Sequence, residues 1–234
     1  MVDKKKTAEK TDKIVRARLK LRERFLKSME NSPSLIDSNP QGTGMPNRHG
    51  MPRLPVGQFE TRKWPVLDLG IHPEVSTADW TLTLDGAVAQ PQRLNWDQFM
   101  SLEQVVDEQD FHCVTTWSRF DLKFTGVPFH VLANALDVAA SATHIMCYGH
   151  DGYTTNLPLS EALKDDVLLV HSWDGKPLPR DHGGPVRMVT PQLYAWKGAK
   201  WINRIEFMTE DRLGYWEKRG YSNTAYPWRN DRYS

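Results

Sequence analysis

A chain of 234 residues, 39% hydrophobic and 25% charged, has room for one large domain or two small ones, and its net charge of +1 gives no electrostatic basis for binding nucleic acid or an acidic membrane surface. No apolar run approaches transmembrane length, and the lysine-rich start leads into charged sequence rather than the apolar core of a signal peptide. No twin-arginine signal is present either, so the expected compartment is the cytoplasm, where the two cysteines stay reduced.

Residues 7–30 read as a charged helix. Ile14, Leu19, Leu21, Phe25, Leu26 and Met29 form an irregular apolar stripe on it. Its plain role is a solvated helix with one face packed on the domain; a partner-binding arm is the sharper one. From 31 to 58, Pro33, Pro40, Gly42, Gly44, Pro46, Gly50, Pro52, Pro55 and Gly57 break regular structure repeatedly, which suggests an extended linker or a strap. The expected division is therefore a charged helical arm and strap at 1–57, and a folded domain at 58–234.

Within that domain short strands and helices alternate. Strands are expected at 81–86, 105–115, 143–148, 167–171, 186–190 and 201–208. Helices are expected from the Asn95 cap to 102, at 128–136 and at 159–163. The mixture predicts an α+β fold with mostly antiparallel or mixed sheets.

Chemistry concentrates in two segments. The first is Asp110-Phe111-His112-Cys113-Val114-Thr115-Thr116-Trp117-Ser118-Arg119. Its single thiol reads as a metal ligand, a nucleophile or an inert core residue. A cysteine hydrolase would need a partner histidine. His112, adjacent on a strand, points to the opposite side. A zinc site with Cys147 lacks any closely spaced ligand pair. One thiolate suits a soft metal whose other sulfurs come from a cofactor. The second segment runs from Arg180-Asp181-His182-Gly183-Gly184-Pro185-Val186-Arg187 to Trp196-Lys197-Gly198-Ala199-Lys200-Trp201. It places a planar guanidinium, an ammonium and a glycine turn where an anion can be gripped. An ordinary hairpin with surface cations is the plain alternative. Nine tryptophans, several beside glycine, proline or charge, suggest an aromatic-lined cleft.

Together these segments resemble the sulfite oxidase family of molybdopterin-dependent oxidoreductases, and most closely its small cytoplasmic branch. The resemblance is carried by 112–118, by Gly126-Val127-Pro128, by 151–159, by the two cation segments, and by Gly214-Tyr215-Trp216-Glu217 with Gly220-Tyr221-Ser222-Asn223, in order along the chain. It implies the sulfite oxidase fold, molybdenum and molybdopterin as cofactors, and Cys113 as the protein ligand to the metal. It further implies that Arg62, Lys63, Trp64, His150, Asp151, His182, Arg187, Gly198, Ala199 and Lys200 lie at the cofactor, and that Tyr153 stands near the metal and the substrate.

Two departures bear on function. Sulfite oxidases carry two arginines shortly after the ligand cysteine, whereas Trp117 and Ser118 occupy that stretch here. This tilts the expected substrate away from sulfite, toward another small oxo donor or acceptor such as a sulfoxide or N-oxide. The sequence also has no Cys-x-x-Cys-His haem motif and no room for the family's immunoglobulin-like dimerisation domain. A separate electron-transfer partner follows from that. The alternative from another class is a binding or scaffold protein that keeps the fold without turnover. Cys147, in His144-Ile145-Met146-Cys147-Tyr148, alternates like a buried strand residue, and no disulfide to Cys113 is expected.

Overall fold

The structure, a computed structural model, describes residues 4–30 and 39–234. The expected strap falls partly on residues 31–38, outside the described residues. The first helix, α1 (Lys4–Glu30), is followed by a hairpin of β1 (Gly42–Pro46) and β2 (Pro52–Pro55), then by β3 (Phe59–Glu60). Next come β4 (Thr81–Gly86), β5 (Gln92–Asn95), α2 (Trp96–Met100), β6 (Val105–His112), β7 (Trp117–Pro128) and α3 (Phe129–Asn134). The remainder is β8 (His144–Gly149), β9 (Thr154–Pro158), α4 (Leu159–Ala162), β10 (Leu168–Trp173), β11 (Lys176–Pro177), β12 (Arg187–Val189) and β13 (Ile202–Met208).

The strands form two main sheets. One has the order β11-β10-β7-β3, with β12 also pairing β10 and β6 also pairing β7. The other has the order β5-β4-β13-β8-β9. Pairing is antiparallel except between β3 and β7 and between β4 and β13. The expected α+β architecture with mixed sheets is therefore present. Leu168, Leu169 and Val170 are fully buried, as a continuous apolar run in a covered strand should be. Asn95 caps α2 through a capping box, its side chain accepting from Gln98 N while Gln98 answers to Asn95 N.

Several elements differ from the expectation. The longest strand, β7, was not anticipated, although Leu122 and Phe124 alternate inward around exposed Lys123. Asp121, with φ of +57°, and the charges of Arg119 and Asp121 interrupt the pattern at its start. β6 ends at His112 rather than 115, so Cys113 stands in the turn that joins β6 to β7. Its N–H donates to Trp117 O at 2.8 Å, and Thr116, with φ of +78°, closes the turn.

α1 packs on the domain with a regular face. Thr11, Ile14, Val15, Arg18, Arg22, Phe25 and Leu26 are half-buried at helical spacing, while Leu21 is exposed. Polar residues thus fill the stripe that looks irregular when only apolar residues are read. Thr11 Oγ1 donates to Leu69 O at 2.9 Å, Arg22 Nε to Gly220 O at 3.0 Å and Arg22 Nη2 to Ser234 O at 2.8 Å. The Phe25 ring meets Tyr233 edge-on at 5.3 Å. Glycine is required at both landing points. A Cβ on Gly70 (φ +80°) would lie 2.9 Å from Ile14 Cδ1, and one on Gly220 (φ +84°) 2.6 Å from Arg22 Nε.

Candidate cofactor site

Turns from both sheets line one pocket, open to solvent, that holds about 800 Å³ of space with its solvent-filled mouth included. The first sheet contributes the Cys113 turn. The second contributes Asp151 and Tyr153 from the β8–β9 connection. The loop after β3 adds Trp64 to Leu69, and the segments around His182, Arg187 and Ala195 to Trp201 complete the wall with Trp216 and Tyr221. Five of the nine tryptophans, Trp64, Trp117, Trp196, Trp201 and Trp216, line it.

Cys113 is buried, and its Sγ lies 3.2 Å from Thr115 Oγ1. Burial pushes its thiol up; the Thr115 contact and the charges of Arg18 and Arg232 oppose that shift. Two distant residues hold its turn. Gln58 Nε2 donates to Cys113 O at 3.2 Å, and buried Arg232 donates to Val114 O and, at 3.0 Å, to Gly57 O. His112 is turned away: its Nδ1 meets Ser118 Oγ at 2.8 Å, and its ring packs edge-on against Trp228. That geometry offers no base to a Cys113 nucleophile. Both cysteines are free thiols. Among the described residues no group of three or more His, Cys, Asp or Glu side chains can hold a metal, so a metal at Cys113 needs ligands from outside the protein.

Arg187 is buried, and its three nitrogens donate to carbonyls: Nε to Met188 O at 3.3 Å, Nη1 to His182 O at 3.1 Å and Nη2 to Gly198 O at 3.2 Å. Its guanidinium lies over Phe111 at 5.2 Å and Trp64 at 5.9 Å. Among the described residues no carboxylate pairs with it. Burial lowers it to about 10. Lys200 Nζ donates to Asp181 O at 2.7 Å and lies 3.6 Å from Asp68 Oδ2. Burial and then the Arg187 charge bring it down to about 8. His182 stacks on Trp64 at 3.9 Å; burial and the same arginine hold it down near 4. Asp151, raised by burial to about 6, accepts from Tyr153 N at 3.1 Å.

Of the residues expected at the cofactor, Trp64, Asp151, His182, Arg187, Gly198 and Lys200 line the cavity together with Cys113 and Tyr153. Ala199 is buried behind that wall. Its N–H and that of Lys200 make no backbone hydrogen bond to a described residue, whereas Gly198 N–H is spent on Ala195 O at 3.2 Å. Arg62, Lys63 and His150 are exposed and lie outside the lining. The Tyr153 hydroxyl donates to Trp196 O at 2.6 Å, so its proton is already engaged. Sequence reading missed Arg18, Gln58, Asp68 and Arg232. Each approaches from a remote part of the chain, and no local pattern marks them.

A buried guanidinium without a counter-ion is costly, and an anion beside it would relieve that cost. The Trp196 Nε1 is also buried with no partner in the protein. A soft sulfur donor and a buried cation without a carboxylate partner, lining one cavity with Lys200, fit a cofactor that carries a metal, sulfur ligands and a phosphate.

The fold and the comparisons agree. The structure matches the crystal structure of the sulfane dehydrogenase SoxCD from Paracoccus pantotrophus with a TM-score of 0.57 at 19% identity, over 64% of this chain and 42% of that one, a likeness of fold. The model of the oxidoreductase molybdopterin binding domain matches residues 69–216. The chain is 37% identical over 183 residues to the uncharacterized oxidoreductase YuiH of Bacillus subtilis, covering 78% of this chain and 92% of that protein. It is 34% identical over 105 residues to the mitochondrial sulfite oxidase of Homo sapiens, covering 38% of this chain and 19% of that protein.

The fold and site thus define a molybdopterin-dependent oxidoreductase. The chain belongs to the sulfite oxidase family of these enzymes, and its cofactor is molybdenum held by molybdopterin.

Proposed function

We propose that the protein catalyses two-electron oxygen-atom transfer on a small substrate, with the Cys113 thiolate as the protein ligand to molybdenum. The observation that carries this reading is one cavity lined by Cys113, by Arg187, a cation without a carboxylate partner, and by Lys200. Bound there, molybdenum would supply the two-electron redox change that no side chain of this cavity can supply.

The chain's own residues do the rest. Arg187 and Lys200, with the N–H groups of Ala199 and Lys200, receive the phosphate end of the cofactor. Trp64 and His182, stacked on each other, offer a flat wall to the pterin rings. Gln58 and Arg232 fix the turn so that the Cys113 sulfur faces the cavity rather than the strand interior. The tryptophan walls exclude water. Tyr153 holds the Trp196 backbone, and its oxygen stays available to accept a hydrogen bond.

Oxidation of the substrate takes oxygen from water and releases two protons and two electrons; reduction consumes them and releases water. With only two cysteines and no haem-attachment pair, we assign electron exchange to a separate carrier. Molybdenum and pterin measured per chain test the reading. About one of each in the wild type, with loss of metal in Cys113→Ala, supports it. Full metal content in Cys113→Ala overturns the ligand assignment. Steady-state assays with sulfite and an oxidising dye, against sulfoxides and a reduced dye, settle the direction.

A further inference from the structure

α1 spans the mouth of the cavity. Thr11 and Ile14 land on Leu69 and Gly70 at one lip, where Leu67 and Leu69 are lining residues. Arg22 lands on Gly220 and Ser234 at the other, beside Tyr221, also a lining residue. Ile14 and Arg22 are about eight positions apart along the helix, a span of about 12 Å. Arg18 is midway between them, on the same half-buried face, and it lines the cavity. Cys113, Thr115 and Tyr221 share that lining with it.

The other two cations, which the proposed function assigns to the cofactor, already have partners in the protein. Arg187 has all three nitrogens on carbonyls, and Lys200 is held by Asp181 O and Asp68. Arg18 makes no hydrogen bond or ion pair with any described residue. Arg16, by contrast, is on the outer face and pairs with Asp12 at 2.6 Å. A guanidinium with five donors, on a helix anchored on either side of it and lining the cavity, is preorganised for an oxygen anion.

We propose that Arg18 is a substrate-binding residue delivered by α1, and that it selects small oxyanions over neutral molecules at the Cys113 end of the cavity. The inference rests on the proposed function for the word substrate, but its central readout is anion binding. The charged helix would then be part of the site, and the cavity is incomplete without it.

The test uses the full chain carrying its cofactor, with sulfate as the probe and the cavity tryptophans as the fluorescent reporter. Arg18→Met should weaken sulfate binding about tenfold or more. Arg18→Lys should recover part of it, since it keeps the charge and loses the fork. Arg16→Met removes the same charge from the other face and should stay within about twofold of wild type. In turnover, Arg18→Met should raise KM for an anionic substrate more than it lowers kcat. Unchanged sulfate affinity in Arg18→Met, or equal weakening in Arg16→Met, overturns the proposal. Loss of pterin from Arg18→Met also overturns it, because Arg18 would then serve the cofactor. A wild type without molybdenum or pterin would sink the proposed function instead, and Arg18-dependent sulfate binding would still be read by fluorescence.

Discussion

Two buried cysteines sit in two different kinds of interior. Cys147 is in the middle of β8, fully buried, with its Sγ 3.7 Å from Met188 Sδ. Burial pushes its thiol up to about 12, and it faces packed side chains. Cys113 is in a turn, beside a hydroxyl, within reach of two arginine charges and open to a cavity. The same contrast recurs among the cations. Lys197 is buried against Glu217 at 2.7 Å and donates to Asn156 O at 2.9 Å, so it is paired within the core. Arg187, ten residues earlier and equally buried, has carbonyls but no carboxylate. Burial alone does not mark a functional group. What marks it is burial with an unfilled side.

The contrast predicts opposite failures. Cys113→Ala should fold and lose turnover by at least about 100-fold, beyond the effect typical of groups that only support a metal ligand. Metal analysis and steady-state assay check this, and near-normal turnover would erase the distinction. Lys197→Met should do the reverse. It leaves Glu217 buried and unpaired, and should cost about 3–5 kcal/mol of stability, read by denaturant unfolding. Arg187→Met removes an unpaired buried charge, so the cofactor-free protein should keep its stability or gain some, while pterin content falls. Cys147→Ala should lose only about 1–2 kcal/mol and keep its molybdenum.

The smallest effect is a pH dependence. Burial, then the Arg187 charge, keeps folded His182 neutral down to about 4, against an ordinary value of 6.5. Between those values the unfolded chain binds a proton that the folded chain does not. This stability is therefore full above pH 6.5 and lost as pH falls toward 4. The Tm of cofactor-free protein should decline through that window, and His182→Gln should flatten the decline. An unchanged slope would show that other groups carry it.

Much of this was legible in the chain. The strands at 81–86, 143–148 and 201–208 announce themselves by apolar alternation, and Asn95 by its capping box with Gln98. Cys113, Trp64, His182, Arg187 and Lys200, singled out because their segments resemble a known family, line one cavity. β7 was not legible, because Asp121, with its positive φ, breaks the pattern where the pairing with β6 slips register. Arg62 and Lys63 share their segment with Trp64, but the chain bends at 62 and 63, which leaves both cations exposed while Trp64 is buried.

Sequence alone was enough for the class of fold, which follows from local periodicity, and for the candidate thiol and cations, which follow from the resemblance of their segments to a known family. Only the tertiary structure decided which buried charges are paired, since Lys197 and Arg187 look alike until Glu217 is placed beside one of them. Only it brought Arg232 and Gln58 to the Cys113 turn and laid α1 across the cavity with Arg18 inside. Those contacts join residues tens to hundreds of positions apart. Their energies come from closing a three-dimensional surface, and local pattern does not encode that closure.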